Sequence, residues 1–161
     1  LADPNMQPEM EGYDYILERQ LKPEARTDVK AILEQLDIKP TSMIDVSDGL
    51  ASEILHLSDQ SKVSFRLYEE KIPMDNLTIT TADEFNLNPV MAALSGGEDY
   101  ELLFTISPND FDKIKNHPDF TIIGHAVEKE DGNFMVARGS NQLVALTAQG
   151  WDAFLGNQQN D

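Results

Sequence analysis

Ser42-Met43-Ile44-Asp45-Val46-Ser47-Asp48-Gly49-Leu50 is the most informative stretch of this chain. Met43 and Ile44 belong to a short apolar strand, whereas Leu50, Ile54 and Leu57 recur at helical spacing. The pentapeptide Asp45–Gly49 is therefore a strand-to-helix turn that gathers two carboxylates and a hydroxyl. Such a turn sets hard oxygen ligands for Mg²⁺ beside the free N–H groups of a helix start, which favour anions. Metal-assisted phosphate chemistry needs that pairing. The same residues also satisfy a plainer reading, because Ser or Asp before an apolar-periodic run is an ordinary helix N-cap.

Upstream of the turn, residues 13–18 read as a short helix, and Pro23 opens an amphipathic one with Ala25, Val29, Ile32, Leu33 and Leu36 on its apolar face. Lys39-Pro40 ends it, and residues 42–46 form a buried strand. Downstream, a helix spans 49–58, and 63–67 alternates as a half-exposed strand. Residues 69–90 are broken by Pro73, Asn76, Asn86 and Pro89, with Thr81 or Asp83 as the cap of a short helix. Residues 89–94 predict further helical turns, stopped by Gly96-Gly97. A strand follows at 100–106, and Ser107-Pro108 starts a helix reaching Asn116. Residues 121–127 and 133–136 read as a hairpin joined by Glu130-Asp131-Gly132-Asn133. A strand at 142–146 and a final short helix, capped by Thr147 and carrying Trp151 and Phe154, complete the pattern. This mixture predicts a layered α+β domain.

At 161 residues the chain has room for one domain with a real core. Its 40% hydrophobic and 25% charged residues fit a soluble globular protein rather than a disordered one. No apolar run approaches the ~18 residues of a membrane span, and no basic-then-apolar leader is present, so a membrane is not an expected partner. The absence of cysteine excludes disulfides, thiolate zinc sites and cysteine nucleophiles, and fits a cytoplasmic protein. A net charge of −17 repels nucleic acid and anionic lipid, and would repel a phosphorylated ligand too. A phosphate site here therefore needs Mg²⁺, backbone dipoles, or basic groups from another domain. Most of the carboxylates read as a solvated surface. The chain begins at Leu1, and residues 1–12 are polar, proline-bearing and aperiodic. They read as a linker, so part of a longer protein is expected.

A second motif is Leu94-Ser95-Gly96-Gly97-Glu98-Asp99-Tyr100-Glu101-Leu102-Leu103-Phe104. Its glycines allow a tight turn and a close approach of backbone, with Glu98 and Asp99 at the mouth of a strand. A helix C-cap followed by a solvated strand start explains the same residues. Trp151, the only tryptophan, shares a helical face with Phe154 and reads as core packing or as an aromatic platform for a cationic heterocycle. His56, His117 and His125 lack metal-ligand spacing, and there is no Walker loop, dinucleotide fingerprint or HExxH.

These segments, in this order, resemble the C-terminal domain of the thiamine-monophosphate kinases, in the superfamily of aminoimidazole ribonucleotide synthetase and selenophosphate synthetase. The resemblance rests on Pro23-Glu24-Ala25-Arg26, on 42–50, on 94–105 and on Gly150-Trp151-Asp152-Ala153-Phe154, and runs from about Tyr13 to Phe154. It implies an α+β, layered α/β/α domain with a mixed sheet over 13–155, followed by a polar tail at 156–161. It implies transfer of the γ-phosphoryl of ATP onto thiamine monophosphate, giving thiamine diphosphate. Asp45 and Asp48 would ligand Mg²⁺, Ser47 would contact ATP, and Glu98 and Trp151 would meet the thiamine moiety, with Phe154 a weaker candidate. No general base is assigned. The family's N-terminal domain, which brings further aspartates and forms the homodimer, has no counterpart in this sequence, so the chain alone is expected to be inactive or nearly so. The competing readings are a related ATP-dependent synthetase and a non-catalytic ligand-binding or assembly module of the same fold.

Overall fold

In the computed structural model, which describes residues 13–22, 24–97 and 100–148, the elements follow in the order α1 (Asp14–Leu21), α2 (Asp28–Gln35), β1 (Ser42–Asp45), α3 (Leu50–Ser61), β2 (Ser64–Tyr68), α4 (Asn76–Glu84), α5 (Pro89–Ser95), β3 (Leu102–Thr105), α6 (Phe111–Ile114), β4 (Gly124–Val127), β5 (Phe134–Val136) and β6 (Leu143–Ala145). Tight 3-10 turns lie at Glu69–Lys71, Pro108–Asp110 and Lys129–Asp131. The strands form two sheets. β1 and β3 make an antiparallel ribbon running from Ser42 opposite Thr105 to Asp45 opposite Leu102. The other four form a mixed sheet in the order β4-β2-β5-β6, with β2 antiparallel to β4 and parallel to β5.

The core is organised by α3, which packs on both sheets. Leu50, Ala51, Ile54 and Leu57 of its apolar stripe meet Phe65 and Leu67 of β2, Met135 of β5 and Leu94 of α5. The ribbon alternates with period two, as a strand must. Ile44 and Leu103 face this main core, while Leu102 and Phe104 face a second one built from Val29, Leu33, Ile38 and Ile114. The ribbon thus lies between α3 on one side and α2 with α6 on the other, the layered α+β arrangement expected from the sequence.

Several local expectations change. Residues 121–127 and 133–136 do not form the expected hairpin: β4 and β5 do not pair, because β2 lies between them. The segment joining them crosses the end of β2, where Ser64 Oγ donates to the Lys129 carbonyl (2.9 Å) and Asn133 Oδ1 accepts from the Phe65 N–H (2.8 Å). Being central, β2 is not half-exposed; Ser64, Phe65 and Leu67 are all buried, with only Arg66 and Tyr68 partly open. The helix expected from Pro23 starts at Asp28 instead, since Arg26 is drawn aside to Asp28 and Glu101. Neither Thr81 nor Asp83 caps the helix in 69–90. Asp75 does, accepting from the Leu77 N–H (2.8 Å). The helix expected after Ser107 splits into the Pro108–Asp110 turn and the short α6. The linker at 1–12, the tail at 156–161 and the helix expected after Thr147 lie outside the described residues.

Leu67 is 2% exposed at the centre of the mixed sheet. Leu67→Ala is expected to remove about 2–5 kcal/mol of unfolding free energy, measured by urea denaturation with an unchanged m-value.

Candidate functional site

β1 ends at Asp45 and α3 begins at Leu50, so the turn is built by residues 46–49. Its backbone is clamped from the ribbon side. The Val46 N–H donates to the Glu101 carbonyl (2.8 Å), and the Tyr100 N–H donates to the Val46 carbonyl (3.0 Å). Two glycines complete the clamp by close approach. Gly49 has φ +101°, and a Cβ there would stand 2.8 Å from the Leu94 carbonyl oxygen. A Cβ on Gly97 would stand 2.5 Å from the Ser47 carbonyl oxygen. The two sequence motifs are therefore in backbone contact, and any side chain at either glycine would push them apart. Tyr100 also takes a left-handed backbone, φ +51°, of the strained kind that clusters at binding sites.

The plain helix-cap reading does not describe this turn. Gly49 is the N-cap residue, and no side chain caps α3. Asp45 and Asp48 are both exposed, and among the described residues neither carboxylate has a hydrogen-bond or ion-pair partner. Ser47 is partly buried, and its hydroxyl donates to Glu53 Oε1 at 3.3 Å. The same oxygen accepts the Asp48 N–H at 3.2 Å. Glu53 is 2% exposed. Sequence reasoning passed over it, although its position three residues after Leu50 and four before Leu57 puts a carboxylate on the apolar stripe of α3.

The donor chemistry fits a hard divalent cation. Mg²⁺ takes one or two carboxylates together with water and substrate phosphates, rather than a cage made wholly of protein. Two exposed carboxylates, at the end of β1 and on the turn that follows, suit that mode, and among the described residues no group of three or more His, Asp or Glu is placed to hold a metal by itself. His56, His117 and His125 sit apart from the turn; His117 packs on Phe120 and His125 stacks on Tyr68. Glu98 and Trp151, the residues expected to meet the thiamine moiety, lie outside the described residues, as do Asp99 and Phe154.

Asp45 also lines an open cleft of about 440 Å³, together with Ala25, Arg26, Thr27, Tyr100 and Leu102. Arg26 forms one wall. It donates from Nε and Nη2 to Asp28 (3.1 and 3.0 Å) and from Nη1 to Glu101 Oε2 (2.6 Å). The hydrogen bond with Asp28, then that with Glu101, pushes the guanidinium pKa further up against the opposing effect of burial. In return, Arg26 holds the Asp28 carboxyl below its ordinary range. This guanidinium is thus committed to two carboxylates, which brace it in the wall of the cleft.

No family model matches the chain. Individual proteins do. Thiamine-monophosphate kinase from Aquifex aeolicus is 31% identical over 139 residues, covering 86% of this chain and 41% of that protein. The Bacillus subtilis kinase is 30% identical over 161 residues, covering 96% of this chain and 47% of its own length. Among solved structures, AaThiL complexed with AMPPCP and TMP superposes with a TM-score of 0.75 at 31% identity, over 92% of this chain and 44% of that one. This chain is homologous, over most of its length, to the thiamine-monophosphate kinases. It spans less than half the length of these thiamine-monophosphate kinases. A wider likeness to E. coli HypE, a hydrogenase maturation protein, at TM-score 0.60 and 14% identity over 80% of this chain and 41% of that one, concerns the fold alone.

Gly97→Ala is expected to cost about 1–3 kcal/mol of stability, read by thermal or urea unfolding, because the methyl meets backbone that cannot rotate away. Acidification acts on the Arg26 brace. Asp28 has a lowered folded-state pKa, so its contribution is fully present above the ordinary value of 3.8 and is lost as pH falls through the folded value. Asp28→Asn is therefore expected to flatten the acid limb of the stability curve below about pH 4 and to leave neutral-pH m-values unchanged.

Proposed function

We propose that this chain supplies one wall of an active site that transfers the γ-phosphoryl of ATP onto thiamine monophosphate. The observation carrying this reading is the pair of exposed carboxylates, Asp45 at the end of β1 and Asp48 on the turn, neither with a partner among the described residues, beside the second glycine motif in a chain homologous to thiamine-monophosphate kinases. Asp45 and Asp48 would hold Mg²⁺, whose charge offsets that of the phosphates and polarises their oxygens. Phosphoryl transfer asks for positioning and charge neutralisation more than for covalent chemistry, and a clamped turn provides the first. Ser47 would face ATP. Glu98 and Trp151 would receive the thiamine moiety, since a carboxylate and an aromatic face suit a cationic thiazolium. That AaThiL has been solved with AMPPCP and TMP supports a nucleotide and a second phosphorylated ligand at this fold. The remaining aspartates would come from a further domain, which would also form the homodimer, in a cytoplasmic setting that a cysteine-free sequence suits.

The isolated chain is expected to form no measurable thiamine diphosphate from ATP and thiamine monophosphate. Joined to the domain that completes its relatives, it is expected to turn over, and Asp48→Asn should then lower kcat/KM by about 10²–10³-fold, the effect of losing several kcal/mol of charge stabilisation. Robust turnover by the chain alone would contradict the shared site. A joined protein that binds the ligands yet transfers no phosphoryl group would leave a binding module in place of a kinase.

A further inference from the structure

We infer that Glu53 is a positioning residue of this site: buried behind the turn, it fixes the orientation of Ser47 and Asp48 toward the cation and nucleotide. The inference rests on the proposed function and adds a residue to it. In the usual capping box a Glu at the third helical position reaches back to the N-cap N–H. Glu53 is the fourth residue of α3 and reaches further, past Gly49, to the N–H of Asp48 and the hydroxyl of Ser47. One carboxylate oxygen therefore holds two consecutive residues of the loop. Its neighbours in α3, Leu50, Ala51 and Ile54, are buried apolar side chains. A carboxylate in such surroundings is tolerated only with hydrogen-bonding partners. For packing alone, an apolar side chain of similar size would serve the stripe as well or better.

What the carboxylate adds is direction. With its proton engaged by Glu53, Ser47 turns its lone pairs outward. With its N–H engaged, Asp48 is held in one backbone orientation from which its carboxylate projects. Partners that orient metal ligands from behind typically matter by 10–100-fold in metal affinity or activity. The chain's own charge makes this support valuable: within a net −17 background many carboxylates compete for a cation, and ligands held in one orientation compete better than ligands on a loose loop.

Two variants of the chain separate positioning from packing. Glu53→Gln keeps an acceptor oxygen at the same reach, whereas Glu53→Leu keeps the volume and removes the acceptor. The probes are Mn²⁺ with ATP, read as paramagnetic broadening of backbone amide signals at 45–48, and hydrogen exchange of the Asp48 amide. In the unsubstituted chain, Mn²⁺ should broaden 45–48 and the Asp48 amide should exchange slowly. Glu53→Gln should retain both properties. Glu53→Leu should keep its melting temperature, lose protection at Asp48, and need about tenfold more Mn²⁺ for the same broadening. In an Asp48→Asn background, Glu53→Leu should change Mn²⁺ titration far less, because the two substitutions act on one loop. A folded Glu53→Leu chain that titrates with Mn²⁺ like the unsubstituted one would overturn the inference while leaving the metal reading intact. Absence of broadening at 45–48 in the unsubstituted chain would overturn the metal reading, and this inference with it.

Discussion

The exchange of backbone hydrogen bonds between Val46 and the chain at Tyr100 and Glu101 is the constraint from which the rest follows. It extends the β1–β3 ladder one step beyond its last paired residues, so the strand does not release the turn until Ser47. Because the turn is held there, Gly97 can lie against the Ser47 carbonyl and Gly49 against Leu94. Because Gly49 takes a positive φ, α3 departs in a direction that carries its apolar stripe over β2 and β5. The site and the main core are therefore set by one stretch of backbone, and disturbance of the turn is felt in both.

The same arrangement explains where the molecule gives up stability. A buried glutamate on the stripe of α3, a non-glycine residue in left-handed conformation at Tyr100, and two exposed carboxylates without partners among the described residues are all poor choices for a fold alone. They are concentrated within a few residues of the turn. Other local rules are obeyed away from it: Asp75 and Asn88 cap their helices, and the ribbon alternates between its two cores, although Asp37, Lys62, Asn86 and Asn141 share the left-handed backbone of Tyr100. A buried acid and exposed carboxylates meeting at one backbone turn are the kind of local departure that a site under functional demand retains.

What could be read from the sequence divides along the same line. The order strand, turn, helix at 42–61 was legible because apolar spacing changes from two to 3.6 across the turn. The contact between the two glycine motifs was not, since nothing local says that Gly97 meets Ser47. Glu130-Asp131-Gly132-Asn133 gave a true turn signal and a wrong pairing, because a turn reports its own residues and β2 enters from elsewhere in the chain. Ser64 misled in a similar way: a serine suggests a wet face, yet its hydroxyl is satisfied by the Lys129 carbonyl and it is buried. Glu53 was visible in principle, as an acid out of place on an apolar stripe, and was hidden by the ordinary expectation that glutamates on helices face water.

The position of β2 has a consequence for how the chain reaches this structure. Its neighbours in the sheet, β4 and β5, are both made long after it, and one of the two pairings is parallel. Until they arrive, a strand meant to be paired on both edges stands with both edges open. Non-local pairing of this kind slows folding and lengthens the interval in which such an edge can capture another chain. During synthesis the first half of the molecule should thus exist as α3 and the ribbon's waiting strand, with β2 its most adhesive segment. The central strand that completes the native core is, for that interval, the point at which a nascent chain is most exposed to self-association.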